Sequence, residues 1–129
     1  MALRRSTQWW GVVLDAPDGR ELARFYARLL GWQVFGESPD GAAVAPSEDA
    51  GHYIACQSEP RYVRPVWPAA EGRPQMSMHL DLAVDDLETS VAHARGAGAV
   101  LAEHQPQDDV RVLLDPAGHP FCLYLDTDG

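Results

Sequence analysis

Asp18-Gly19-Arg20-Glu21-Leu22-Ala23-Arg24-Phe25-Tyr26-Ala27-Arg28-Leu29-Leu30-Gly31 reads as a helix with both of its ends written into it. Asp18, with Glu21 three residues on, has the spacing in which side-chain oxygens accept from the free backbone N–H groups of a helix N-terminus. Leu22, Phe25, Tyr26 and Leu29 fall on one face, and Gly31 tolerates the left-handed conformation that stops the helix. The same landmarks return 67 residues later, where Asp85, Glu88 and Gly98 echo Asp18, Glu21 and Gly31. Gly51 and His52 return as Gly118 and His119, and Ala16, Ala27, Arg28 and Ala50 as Ala83, Ala94, Arg95 and Ala117. The recurring residues are largely those that begin and end elements, so the chain reads as two copies of one small unit. A repeat of this kind places a binding site between its copies.

Around each helix the pattern is that of strands. A strand precedes the helix, and three short segments follow it. In the first copy these are Trp32 to Phe35, Ala42 to Ala45 and Tyr53 to Gln57, divided by Ser38-Pro39-Asp40-Gly41 and Asp49-Ala50-Gly51. In the second they are Ala99 to Glu103, Val110 to Leu114 and Phe121 to Leu125, the last preceded by the turn Asp115-Pro116-Ala117-Gly118. The second helix starts at Asp85, uses Leu87, Val91 and Ala94, and stops at Gly96 or Gly98. The expected class is α+β, two tandem βαβββ units at residues 8–57 and 77–126 of a single domain, 1–129. A proline-rich linker, 58–76, joins them and is expected to be extended or irregular.

The second unit's first strand shows which way its side chains face. Between His79 and Val84, alternation sends Leu80, Leu82 and Val84 to one side and His79, Asp81 and Ala83 to the other. Phe121, Leu123 and Leu125 form a similar apolar face in the last strand, with Cys122 and Tyr124 opposite. Aspartate is disfavoured in strands, which singles out Asp81.

Composition excludes several functions. A net charge of −9, with ten arginines and no lysine, offers no basic patch for nucleic acid and disfavours an acidic membrane surface. Met1 to Thr7 is not followed by an apolar stretch long enough for a signal peptide or membrane span, so a cytoplasmic protein is expected. Cys56 and Cys122 form no CxxC pair and are expected to be reduced.

Three strings, Phe25-Tyr26-Ala27-Arg28-Leu29-Leu30-Gly31-Trp32, His79-Leu80-Asp81-Leu82-Ala83-Val84-Asp85-Asp86 and Asp115-Pro116-Ala117-Gly118-His119-Pro120-Phe121, resemble the vicinal oxygen chelate superfamily. That group includes glyoxalase I, the bleomycin-resistance proteins and extradiol dioxygenases, and the resemblance spans nearly the whole chain. It implies paired units whose curved sheets enclose a cup, with helices on the outer faces, and a homodimer. In the group's metal enzymes each unit gives one ligand from its first strand and one from its last, typically His, Gln or Glu. Counting back from Phe25-Tyr26 places the first ligand at Gly11, or at Val12 if the strand slips by one, and neither can bind a metal. His79 fits the second unit's first strand. Cys122 stands where a Glu is expected, and Ala55 is its first-unit match, with Gln57 the nearest side chain on the same face.

The leading expectation is therefore a small organic ligand held in the cup without the family's catalytic metal. His79 and Asp81, on one strand face, are the candidate catalytic pair, since a neighbouring carboxylate can orient an imidazole for proton transfer. The bland alternative is a polar strand face wetted by solvent. Val13, Asp15, Gln57, Tyr62, Trp67, Cys122 and Tyr124 are the candidate ligand-binding residues, and Trp9 and Trp10 open the first strand beside them. Asp15 is either a cup residue or a turn residue before Pro17. The competing expectation is a metal-dependent lyase, isomerase or dioxygenase with a rearranged divalent-metal site of His79, Cys122 and either Gln57 or Asp81. His52 and His119 are expected to serve their turns, His93 and His104 to lie on the surface, and Cys56 and Trp32 to belong to the core.

Overall fold

Asp18 caps its helix as its position predicts, accepting at Oδ1 from the backbone N–H of Arg20 at 3.0 Å and of Glu21 at 3.3 Å. The computed structural model describes residues 9–126 and divides the chain into two units between Tyr62 and Val63. The first unit runs β1 (Trp10–Ala16), α1 (Gly19–Leu30), β2 (Gln33–Ser38), β3 (Gly41–Ala45) and β4 (His52–Ser58). Its sheet has the order β1-β4-β3-β2, with β1 parallel to β4 and the other pairs antiparallel. The start of α1 lies against β4 so closely that a Cβ on Gly19 would strike the Cys56 carbonyl, and the Gly19 N–H donates to Ser58 Oγ at 2.9 Å. Leu22, Phe25 and Tyr26 of α1 are buried, as are Ala42, Val44, Ile54 and Cys56 of the sheet. Cys56, 2% exposed, is core as expected.

The second unit repeats the plan with β5 (Asp81–Val84), α2 (Leu87–Ala97), β6 (Val100–Leu101), β7 (Val110–Leu114) and β8 (Pro120–Leu125), in the sheet order β5-β8-β7-β6. Here the expected helix start is corrected: Asp86, not Asp85, is the cap, accepting from the N–H groups of Glu88 and Thr89. The β5–β8 ladder explains the slip, because Asp126 N–H donates to the Val84 carbonyl and keeps the chain extended to the end of β5. Thus Asp18 and Asp86 are 68 residues apart while Gly31 and Gly98, which close the helices, are 67 apart; α1 has 12 residues and α2 has 11. Only Ala94 and Ala97 of α2 are buried.

Other boundaries also moved. The strand expected over Ala99 to Glu103 is the two-residue β6, because the Gln105 side chain takes over its partner's backbone. Gln105 Nε2 donates to the Ala102 and Val112 carbonyls at 2.8 and 2.9 Å, and its Oε1 accepts from Val112 N–H at 2.8 Å. Trp32 is half-buried rather than core, its ring edge-on to His52 at 5.5 Å, and Trp10 stacks on the same imidazole at 6.2 Å. His52 accordingly opens β4 instead of sitting in the turn. Asp115, 1% exposed, accepts from Ala117 and His119 N–H and organises the turn before β8. His93 and His104 are exposed as expected. The linker over 58–76 is irregular apart from one bridge between Val66 and Gln75; it straddles the unit boundary, and Ser58 belongs to β4. The expectation for Met1 to Thr7 lies outside the described residues, among which no helix is long and apolar enough to cross a membrane.

Candidate functional site

In the second unit, the parallel pairing of β5 with β8 sets Asp81 directly against Cys122. Strand alternation sends both side chains away from buried Phe121 and Leu123. His79 precedes β5 rather than lying in it, but Leu80 still accepts from Cys122 N–H at 2.9 Å, so the chain is already held to β8. His79 Nε2 lies 3.1 Å from Asp81 Oδ1, with side chains 35% and 59% exposed. One donor atom from each of His79, Asp81 and Cys122 falls within 4.8 Å of the others. Burial, the charge of Asp81 and a hydrogen bond to Asp81, in that order, push the Cys122 thiol above its ordinary range. Near neutral pH Cys122 is therefore a thiol that donates to Asp81, not a ready nucleophile. Tyr124, half-buried, pairs with Ala83 further along the same face.

The first unit builds its corresponding face differently. The β1–β4 register pairs Gly11 with Tyr53, Val13 with Ala55 and Asp15 with Gln57. Asp15 is in the strand, not in a turn before Pro17, and accepts from Gln57 Nε2 at 2.7 Å; Val13 is 52% exposed. By the 68-residue offset of the strands Gly11 is the counterpart of His79. A Cβ on Gly11 would run into the Tyr53 ring, so that ring covers the place where a ligand-bearing side chain would begin.

Beside it opens a cavity of about 320 Å³ lined by Trp9, Phe35, Ala43, Ala45, Ser47, Glu48 and Tyr53. The Trp9 and Tyr53 rings are 6.3 Å apart and tilted by 45°. Phe35 pairs with Ala43, and Ala43 with Ala55, so small residues on neighbouring strands leave the floor that the rings surround. Sequence reasoning named Trp9 but missed Phe35, Ala43 and Tyr53. The available signal was Ala43 and Ala55 facing away from the bulkier Val44 and Ile54.

Tyr62 ends the first unit and Trp67 belongs to the second. The Trp67 indole N–H donates to the His104 carbonyl at 3.2 Å, which fastens the irregular segment to the chain after β6. Gln57, one of the alternative metal ligands, belongs to the first unit and donates its Nε2 to Asp15.

The family model described as a glyoxalase-like domain matches residues 11–124. No curated protein gives a significant match to the sequence. Among solved structures, the chain is similar to a glyoxalase/bleomycin resistance protein/dioxygenase family enzyme from Burkholderia phytofirmans PsJN, with 19% identity, a TM-score of 0.64, and coverage of 89% of this chain and 95% of that one. It is similar to the fosfomycin resistance protein FosX from Mesorhizobium loti, with 11% identity, a TM-score of 0.62 and 92% of each chain covered. An integron cassette protein from V. cholerae matches at 16% identity and a TM-score of 0.59, over 98% of this chain and 100% of that chain. Likeness at these identities concerns the fold.

Proposed function

The chain belongs to the glyoxalase-like domain family of the vicinal oxygen chelate superfamily, and we propose that it binds a small organic molecule with a flat apolar part, without that family's metal set. The observation that carries this reading is the aromatic cavity of the first unit. At about 320 Å³ it lies at the small end of ligand sites and suits one planar ring system. Trp9, Phe35 and Tyr53 offer stacking surfaces there, and Ser47 and Glu48 supply polar atoms at its wall.

The family's metal set does not fit these residues. Gly11 has no side chain and lies under the Tyr53 ring, and Ala55 has no donor atom. Within the second unit taken by itself, His79 held beside Asp81 is a group suited to accepting or donating a proton. The test is a thermal-shift screen of chelator-treated protein against neutral planar aromatics such as 2-naphthol, with acyclic polyols as controls. A ligand near 100 times its Kd adds about 2.7 kcal/mol to the folded state, enough to raise Tm by several degrees. No shift with any aromatic, or equal shifts with the polyols, would contradict the reading.

A further inference from the structure

We propose that His79, Asp81 and Cys122 form a zinc site contained within the second unit. This deepens the reading of that face: free of metal, His79 and Asp81 are placed to pass a proton, and when loaded they are ligands.

The donor set is an imidazole, a carboxylate and a thiol, the three side-chain types from which zinc sites are built. Their atoms fall within 4.8 Å of one another. Bonds of about 2.0–2.3 Å in tetrahedral geometry put donors roughly 3.3–3.8 Å apart, so the cluster must tighten by about an ångström or less to hold an ion. The β5–β8 register sets Asp81 opposite Cys122, and the His79 nitrogen nearest the carboxylate is Nε2, which is free to ligate once it no longer serves Asp81.

On binding, the metal would take the place of the Cys122 thiol proton, which passes to solvent; the resulting thiolate and the Asp81 carboxylate would together neutralise a divalent ion, with a neutral imidazole as third ligand. Sulfur selects a soft or borderline ion over magnesium or calcium. Three protein ligands leave a position open, and the exposure of His79 and Asp81 gives solvent or a ligand oxygen access to it. The arrangement differs from the two-unit set that the sequence resemblance implies, since Asp81 takes part and no first-unit residue is required.

The test uses the full chain, reduced, dialysed against chelator and titrated with cobalt(II), a spectroscopic substitute for zinc. The expected result is one cobalt bound per chain with a near-ultraviolet sulfur-to-cobalt charge-transfer band that zinc abolishes. Cys122→Ser should remove the band, while His79→Ala and Asp81→Asn should each weaken binding at least about tenfold, as loss of even an outer-shell partner does. His93→Ala and His104→Ala, at exposed positions away from these donors, should change nothing. Absence of the band in the wild type, its persistence in Cys122→Ser, undiminished affinity in His79→Ala and Asp81→Asn, or loss of binding in the two surface variants would each overturn the proposal. Circular dichroism of each variant establishes that a lost band is not lost folding. The readout needs no organic molecule and the thermal-shift screen no metal, so failure of one leaves the other standing.

Discussion

At Cys122 three influences act in one direction. Burial, the nearby Asp81 charge and the hydrogen bond to Asp81 all favour the neutral thiol. At a pH near the ordinary thiol range, fewer Cys122 side chains are therefore ionised than in a free cysteine, and alkylation by iodoacetamide should be slow. Asp81→Asn removes the charge and replaces the acceptor, which lowers the thiol's pKa and should raise the alkylation rate a few-fold, measured on the Cys122 peptide by mass spectrometry. An unchanged or slower rate would mean that Asp81 does not act on the thiol. Gly11 gives a second prediction: Gly11→His, which would restore a ligand type, must push aside the Tyr53 ring and should cost roughly 1–3 kcal/mol in urea unfolding. Adding Tyr53→Ala should make the effect of Gly11→His smaller. His79 and Asp81 were legible in the sequence because alternation puts them on one face, and Cys122 joined them through the family resemblance; the β5–β8 register sets it opposite Asp81. The cover over Gly11 was not, since it depends on which residue of β4 the ladder sets opposite.

Helix and strand ends obey local chemistry until a ladder overrules it. Asp85 and Asp86 are adjacent, and the Asp-x-x-Glu spacing favours the first, yet pairing with β8 keeps the chain extended through Val84 and gives the cap to the second. Asp86→Ala and Asp18→Ala should each cost about 1 kcal/mol, whereas Asp85→Ala should leave Tm nearly unchanged. Equal losses at Asp85 and Asp86 would contradict the assignment. The shortness of β6 was hidden for a different reason. A single amide, Gln105, imitates a strand partner for Val112, and no periodicity announces it. Gln105→Ala leaves the backbone N–H of Val112, a buried residue, without its acceptor and should cost about 1–3 kcal/mol, read from chemical denaturation.

On the scale of the whole molecule, the duplication was legible because its punctuation survives in caps and turns: Asp18 and Asp86, Gly31 and Gly98, with matching sheet orders in the two units. The apparent 67-residue period concealed a one-residue shortening of the second helix, which matters because it decides that Gly11 corresponds to His79. The copies have diverged in chemistry. The first keeps an aromatic cavity with a glycine and an alanine at the ligand positions, and the second collects imidazole, carboxylate and thiol. The second unit's donor set could be read in part from strand parity, but the first unit's aromatic cavity arises from three strands in register and was invisible in linear order. Isothermal titration of chelator-treated protein with the best aromatic ligand from the thermal screen, run in parallel on Ala43→Phe, tests the central claim most directly. The account predicts saturable binding in the wild type and at least a tenfold loss when the new phenyl ring fills the cavity floor; equal affinity in the two proteins would contradict it.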